Sequence, residues 1–225
     1  MLDEEYSSFV GKYAIPARYG LTIGEFACYA NDVKHIGCEL TVIPCEGLDR
    51  SMIYSDMDIP FVAPSPNIPT AETVLNYVGT CLIEGTNLSE GRGTTRPFDL
   101  IGAPWLKSDV LCRQMNSYGF EGVMFRRAYF TPTFSKYAGE VCEGLQLHIT
   151  DPRHYEPFEV AMRLIDEIRA NFHDFKWNEH HIDRLFGDNK FRTEYIGRDR
   201  IDAFLSLNEA RLEAYRESIR SYYIY

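Results

Sequence analysis

The chain has 225 residues, a formal net charge of −10 and 45% hydrophobic residues, which suits one large domain or two small ones and excludes a mostly disordered polymer. The acidic balance argues against a general binder of nucleic acid or anionic membrane, since both repel such a chain at long range. No run of about 18 apolar residues marks a membrane-spanning helix, and the acidic, polar start is unlike a secretory leader.

In chain order, the first element is a helix opened by the capping box Thr22-Ile-Gly-Glu25, with an end expected near Asn31. Residues 38–43 (Cys-Glu-Leu-Thr-Val-Ile) read as a strand stopped by Pro44. Pro60, Pro64, Pro66 and Pro69 then stiffen a connector, and Pro69 is expected to open a short helix over residues 70–77. Residues 79–84 read as an apolar strand covered on both faces and ending on Glu84. Ser108 is the expected cap of a helix to about Asn116, with a stop at Gly119. Two more strands follow at 123–130 and 145–150. Pro157 opens an amphipathic helix carrying Phe158, Ala161, Leu164, Ile165, Ile168 and Phe172. A last long helix carries Ile201, Phe204, Leu205, Leu212, Tyr215 and Ile219 on its buried side. Strands interleaved with helices place the chain in the α/β or α+β class. The first 77 residues supply one helix and one strand, too little to close a core alone.

The segment with most chemistry is Glu84-Gly-Thr-Asn-Leu-Ser-Glu-Gly-Arg-Gly-Thr-Thr95, followed by Arg96. Its glycines allow positive φ and close backbone approach, as a ligand-cradling loop needs. If an apolar strand precedes it, the loop leaves the carboxyl end, where open α/β sheets bind ligands. No Gly-Lys-Ser/Thr follows the glycines, so this is not a nucleotide P-loop. Glu84 and Glu90 are chemically suited to glycoside cleavage, which needs a proton donor and a second group at the anomeric centre. Arg92, then Arg96, offers a planar match to a sugar carboxylate, and Asn87, Ser89 and Thr94 offer hydrogen bonds. The competing reading is an ion-pair network that pins a junction. On the strand after 145, Gln146, His148 and Thr150 alternate with apolar residues. His148 is therefore either a group in the cleft or a half-buried sheet histidine.

No cofactor or metal is expected. The six cysteines fit no zinc spacing and read as small buried apolar residues. The adjacent pair His180-His181 lies about 100° apart on a helix, awkward for one ion.

Taken together, Thr22-Ile-Gly-Glu25, Pro64-Ser-Pro-Asn-Ile-Pro-Thr70, the 84–94 loop, Pro97-Phe98, Gly102-Ala-Pro-Trp105 and Leu147-His-Ile-Thr-Asp151 resemble the NamZ-type exo-β-N-acetylmuramidases, from about Ser8 to Tyr225. That resemblance implies release of terminal N-acetylmuramic acid from peptidoglycan fragments in or beyond the cell envelope. It also implies a Rossmann-like domain, of which residues 1–77 would be the closing portion, followed by an α+β domain of mixed sheet and helices over 78–225. An inventory short of upstream groups leaves a second expectation, a non-catalytic carbohydrate-binding or scaffold module.

Overall fold

The computed structural model describes residues 2–9 and 11–225; Met1, where the first expected segment starts, and Val10 lie outside the described residues. The capping box forms as the sequence predicts. Thr22 accepts from the Glu25 amide, Glu25 accepts from the Thr22 amide, and helix α1 runs over Ile23–Val33. Helix α2, Ala71–Thr80, starts one residue later than expected, because Thr70 rather than Pro69 prepares its entry: the Thr70 hydroxyl accepts from the Thr73 amide.

Two expected strands are absent. Residues 79–84 finish α2 and continue into a 3₁₀ turn, Cys81–Gly85. Leu82 and Ile83 are fully buried there. A short apolar run buried on every side carries no periodicity that separates strand from helix, and close packing decided the outcome. A side chain at Gly79 would put its Cβ 1.9 Å from the Pro157 carbonyl, and one at Gly85 would meet Ile182 at 2.6 Å. The loop beyond Glu84 is therefore not the carboxyl-end loop of a parallel sheet. Residues 38–43 form no strand and join none of the three strands of the described sheet.

The sheet has three antiparallel strands in the order β1 (Leu100–Ala103), β3 (Cys142–Ile149), β2 (Val123–Phe130). Leu100 pairs with Gln146 and Val123 with Ile149. β1 has no counterpart among the expected elements, and β3 begins three residues early, at Cys142. Helix α3 (Ser108–Ser117) precedes β2, and helices α4 (Pro157–Asn171), α5 (Glu179–Phe186), α6 (Lys190–Thr193) and α7 (Arg198–Ile219) follow β3. Pro157 occupies the first turn of α4 as expected. Ser108 is the first residue of α3, not its cap, and both its amide and its hydroxyl donate to Glu143 at 2.8 Å.

One large core joins Leu82, Ile83 and Leu88 to the inner face of the sheet (Ile101, Phe125, Leu145, Leu147), with α4 supplying Val160, Leu164 and Ile168. A small second core gathers Leu21, Tyr215 and Ile219, so the start of the chain folds onto the end of α7. Four bonds lace the two together: the Ile224 amide donates to Glu25 Oε1 at 2.7 Å, the Cys45 amide to the Tyr225 hydroxyl at 2.7 Å, the Tyr215 hydroxyl to the Tyr19 carbonyl at 3.0 Å, and the Tyr222 hydroxyl to Asp32 Oδ2 at 2.5 Å. Burial raises the Glu25 pKa, but bonds from the Ile224 and Thr22 amides and the Arg50 charge outweigh it and hold the carboxyl below its usual range. On α7, Ile201, Tyr215 and Ile219 are buried, whereas Phe204, Leu205 and Leu212 are only partly covered.

Candidate functional site

Residues 86–99 are held by isolated bridges rather than by a strand of their own: Thr86 pairs with Trp177, and Ser89 with Gly102 of β1. Gly91 and Gly93 take φ of 78° and 82°, and Phe98 takes 63°. The left-handed turn at Gly93 lets a neighbouring loop close on it, with the Thr133 amide and hydroxyl both bonding the Gly93 carbonyl, at 2.8 and 2.9 Å. That loop delivers Lys136.

Four charges meet as a result. Arg92 bonds Glu84 Oε1 through Nε at 3.0 Å and through a terminal nitrogen at 2.5 Å. Its Nε also lies 3.4 Å from Glu90 Oε1. Lys136 Nζ stands 3.1 Å from Glu90 Oε2, at an angle that makes an ion pair without a hydrogen bond. The same ammonium bonds the carbonyls of Ile83 (3.2 Å), Glu84 (3.3 Å) and Leu88 (2.9 Å), so it fastens the turn before the loop as well. Glu90 is 3% exposed, while Glu84, Arg92 and Lys136 keep 18, 28 and 30% of their side-chain surface in water. The Arg92 guanidinium lies 5.0 Å from the Phe98 ring, which meets Tyr77 edge-on at 4.7 Å. The cluster is therefore an electroneutral, partly exposed charge network packed against the buried Phe98 ring, and its two cations are its most accessible members.

Glu84, Glu90 and Arg92 thus come together. Arg96 does not join them, but points to Asp99 at 3.7 Å and is 46% exposed. Asn87 spends its amide on the chain opposite, donating to the Asp174 carbonyl and accepting from the Lys176 amide, both at 2.8 Å. The Ser89 hydroxyl, almost fully buried, accepts from the Gly91 amide. Thr94 donates to the Gly91 carbonyl and accepts from the Arg96 amide. These three side chains shape the loop. His148 sits on β3 opposite Met124; among the described residues its enclosed Nε2 has no hydrogen-bond partner, and no hydrogen bond or ion pair joins it to the charge cluster. Lys136 escaped the sequence reading because nothing local marks it; only the folded path of the β2–β3 loop brings it to Glu90.

A separate groove of about 960 Å³ runs between residues 16–22 and 48–57 on one side and α4 and α7 on the other. Phe204, Leu205 and Leu212 line it, which explains their partial exposure, and Arg18, Arg153 and Arg211 stand along it. Helix α2 touches it through Val78, one residue from Tyr77.

Comparison with known proteins places this architecture in a class first. The fold matches two solved DUF1343-family proteins from Bacteroides fragilis over the whole chain, at TM-scores of 0.91 and 0.72, each 26% identical and each covered over 61% of its own length. Residues 75–225 match the family model described as exo-β-N-acetylmuramidase NamZ, C-terminal, and residues 1–72 match its N-terminal counterpart. The chain belongs to the NamZ family. Over 227 aligned residues it is 42% identical to the peptidoglycan β-N-acetylmuramidase NamZ of Bacillus subtilis, covering 100% of this chain and 55% of that protein. The chain therefore spans little more than half the length of that curated relative.

Proposed function

We propose that the chain serves an exo-β-N-acetylmuramidase, releasing terminal N-acetylmuramic acid from peptidoglycan fragments in the cell envelope. The observation that carries this reading is the 42% identity, across its full length, to a protein named for that activity. The charge cluster supports it chemically. Glycoside cleavage needs one carboxyl to protonate the leaving oxygen and another to stabilise or attack the anomeric carbon. Glu84, the more accessible of the pair, takes the proton-transfer role, and Glu90, deeper and faced by two cations, takes the second. Muramic acid carries a lactyl carboxylate. Arg92 meets it with the guanidinium edge that Glu84 leaves open, and Tyr77, 39% exposed and packed edge-on against the buried Phe98 ring, offers an aromatic flank to the sugar ring.

The test is release of N-acetylmuramic acid from a muramic-acid-terminated disaccharide, by the chain and by a full-length relative carrying the equivalent changes. Glu84→Gln and Glu90→Gln should each cut turnover at least about hundredfold. A loss under about tenfold, roughly 1.4 kcal/mol, removes that residue from the chemistry. Arg92→Ala should raise KM more than it lowers kcat.

A second reading, a carbohydrate-binding module without turnover, is favoured by one observation: both carboxylates are already neutralised by protein cations. It predicts saturable binding of the disaccharide with no product, and a binding loss on Arg92→Ala.

A further inference from the structure

The loop between β2 and β3 sets Lys136 down in strained backbone. Four non-glycine residues among those described take a left-handed φ: His35 at 50°, Phe98 at 63°, Ser135 at 72° and Tyr137 at 58°. Three of the four stand at the charge cluster, since Phe98 lies beside Arg92 and the other two flank Lys136. A residue with a side chain holds that conformation only where its surroundings over-determine it, and such positions gather at working sites. Here the fastening is plain. The Tyr137 hydroxyl donates to the Asn87 carbonyl at 2.7 Å and accepts from Trp105 Nε1 at 3.1 Å. Together with the Thr133–Gly93 bonds, this ties the loop on both sides of Lys136 to the segment that carries Glu84 and Glu90.

What the ammonium does there follows from its donors. It has three protons and no more to give, and the carbonyls of Ile83, Glu84 and Leu88 take them. Glu90 receives the charge alone: its Oε2, 3.1 Å from Nζ, is buried and accepts no hydrogen bond among the described residues. A buried carboxylate oxygen without a donor is costly and calls for an explanation. We infer that Lys136 is a positioning residue for the proposed glycoside cleavage: from one point it fixes the backbone of Glu84 and the side chain of Glu90, and it holds Glu90 by charge without committing that oxygen to a hydrogen bond. The inference rests on the activity proposed above. It adds the group that sets the spacing of the two carboxylates, on which this chemistry depends.

The experiment measures release of N-acetylmuramic acid from the muramic-acid-terminated disaccharide by the chain and its variants, at a temperature where circular dichroism finds each fully folded. Lys136→Met should lower kcat at least about thirtyfold while KM stays within about threefold, because the residue acts through the carboxylates. The acid limb of the kcat profile should also move to higher pH, since a buried carboxylate that loses its cation takes up a proton more readily. Lys136→Arg keeps the charge and should return that limb to within about 0.3 pH of its place in the parent chain. Tyr137→Phe unties the loop from Asn87 without touching the charge, and should lower kcat at least about fivefold with the limb unmoved. It carries the test if Lys136→Met does not fold. A purely structural loss should do none of this: Tyr215→Phe, which deletes the bond to Tyr19 in the second core, should leave kcat and the limb where they are. A Lys136→Met chain with kcat within about threefold, a loss confined to KM, or an unmoved acid limb overturns the inference while the parent's turnover still supports the proposed activity. A parent chain that releases no sugar removes the activity itself, and the inference with it.

Discussion

The ammonium of Lys136 stands between Glu90 Oε2, at 3.1 Å, and the Leu88 carbonyl, at 2.9 Å, and so neutralises a buried carboxylate while holding the backbone that leads to it. Lys136→Met should leave Glu90 with only the longer contact to Arg92 and remove the ammonium donor from the Glu84 and Leu88 carbonyls, while the Ile83 carbonyl keeps its bonds from Thr86. Breaking such a pair from one side costs more than the pair contributes, because the surviving charge remains buried. Lys136 is partly solvated, so a loss of about 2–3 kcal/mol is expected in urea unfolding. The double variant Lys136→Met with Glu90→Gln should lose clearly less than the two single losses added. Strict additivity would show that the two side chains do not interact.

Asp99 offers a pH test. Burial pushes its carboxyl above the ordinary value of 3.8, against the opposing pull of Asn76, which donates to it at 2.8 Å, and of Arg96. A raised carboxyl means that the folded chain binds the proton more tightly than the unfolded one. The associated stability is present below the ordinary carboxylate range and is lost as pH rises through the folded pKa. Asp99→Asn should therefore flatten the decline in stability as pH rises above about 4, relative to the parent chain. The variant also brings an amide donor near the Asn76 oxygen, which lacks a partner. An unchanged difference profile would rule out Asp99 as a source of the pH dependence.

Gly79 fixes the approach of α2 to α4. With its Cβ position 1.9 Å from the Pro157 carbonyl, Gly79→Ala forces the two helices apart and should cost about 2–3 kcal/mol. Val74→Ala on the same helix, at a position 41% exposed, should stay within about 0.5 kcal/mol. Equal effects from the two changes would mean that the close approach carries no energy.

The cysteines should divide by reactivity. Burial first, then the nearby Glu84 charge, pushes the Cys81 thiol up to about 12, and burial takes Cys142 to about 11. The thiolate is the reacting form. Alkylation at neutral pH should mark the exposed Cys38 and Cys45 first and leave Cys81 and Cys142 to be labelled only on unfolding. Peptide mapping of a short iodoacetamide pulse reads this directly.

What could be read from the sequence was local. The Thr22–Glu25 box, the Pro157 helix start and the strand at 123–130 each depend on residues a few positions apart, and each is found where expected. Residues 79–84 went astray because their surroundings, not their pattern, choose helix: they are walled in by Pro157 and Ile182. β1 is four residues long and contains Gly102, so it has no alternation to announce it. Residues 38–43 have the apolar, β-branched composition of a strand, yet they join no sheet among the described residues, because composition alone does not supply a pairing partner. The same division governs the candidate site. The carboxylates and Arg92 share one short stretch and were visible together, while Lys136 arrives from a loop more than forty residues on. The cysteine expectation holds fully only for Cys142, which is buried; Cys28, Cys81 and Cys112 are partly covered, and Cys38 and Cys45 lie at the surface.

The last two residues of the chain reach back to the first helix and to the segment beyond it, through Ile224 on Glu25 and Tyr225 on Cys45. Carboxypeptidase trimming by two residues would uncap a buried acid and slacken a backbone 180 positions away. The terminal tyrosine acts as a fastener, so a purification handle fused there sits on a working part of the molecule and belongs elsewhere.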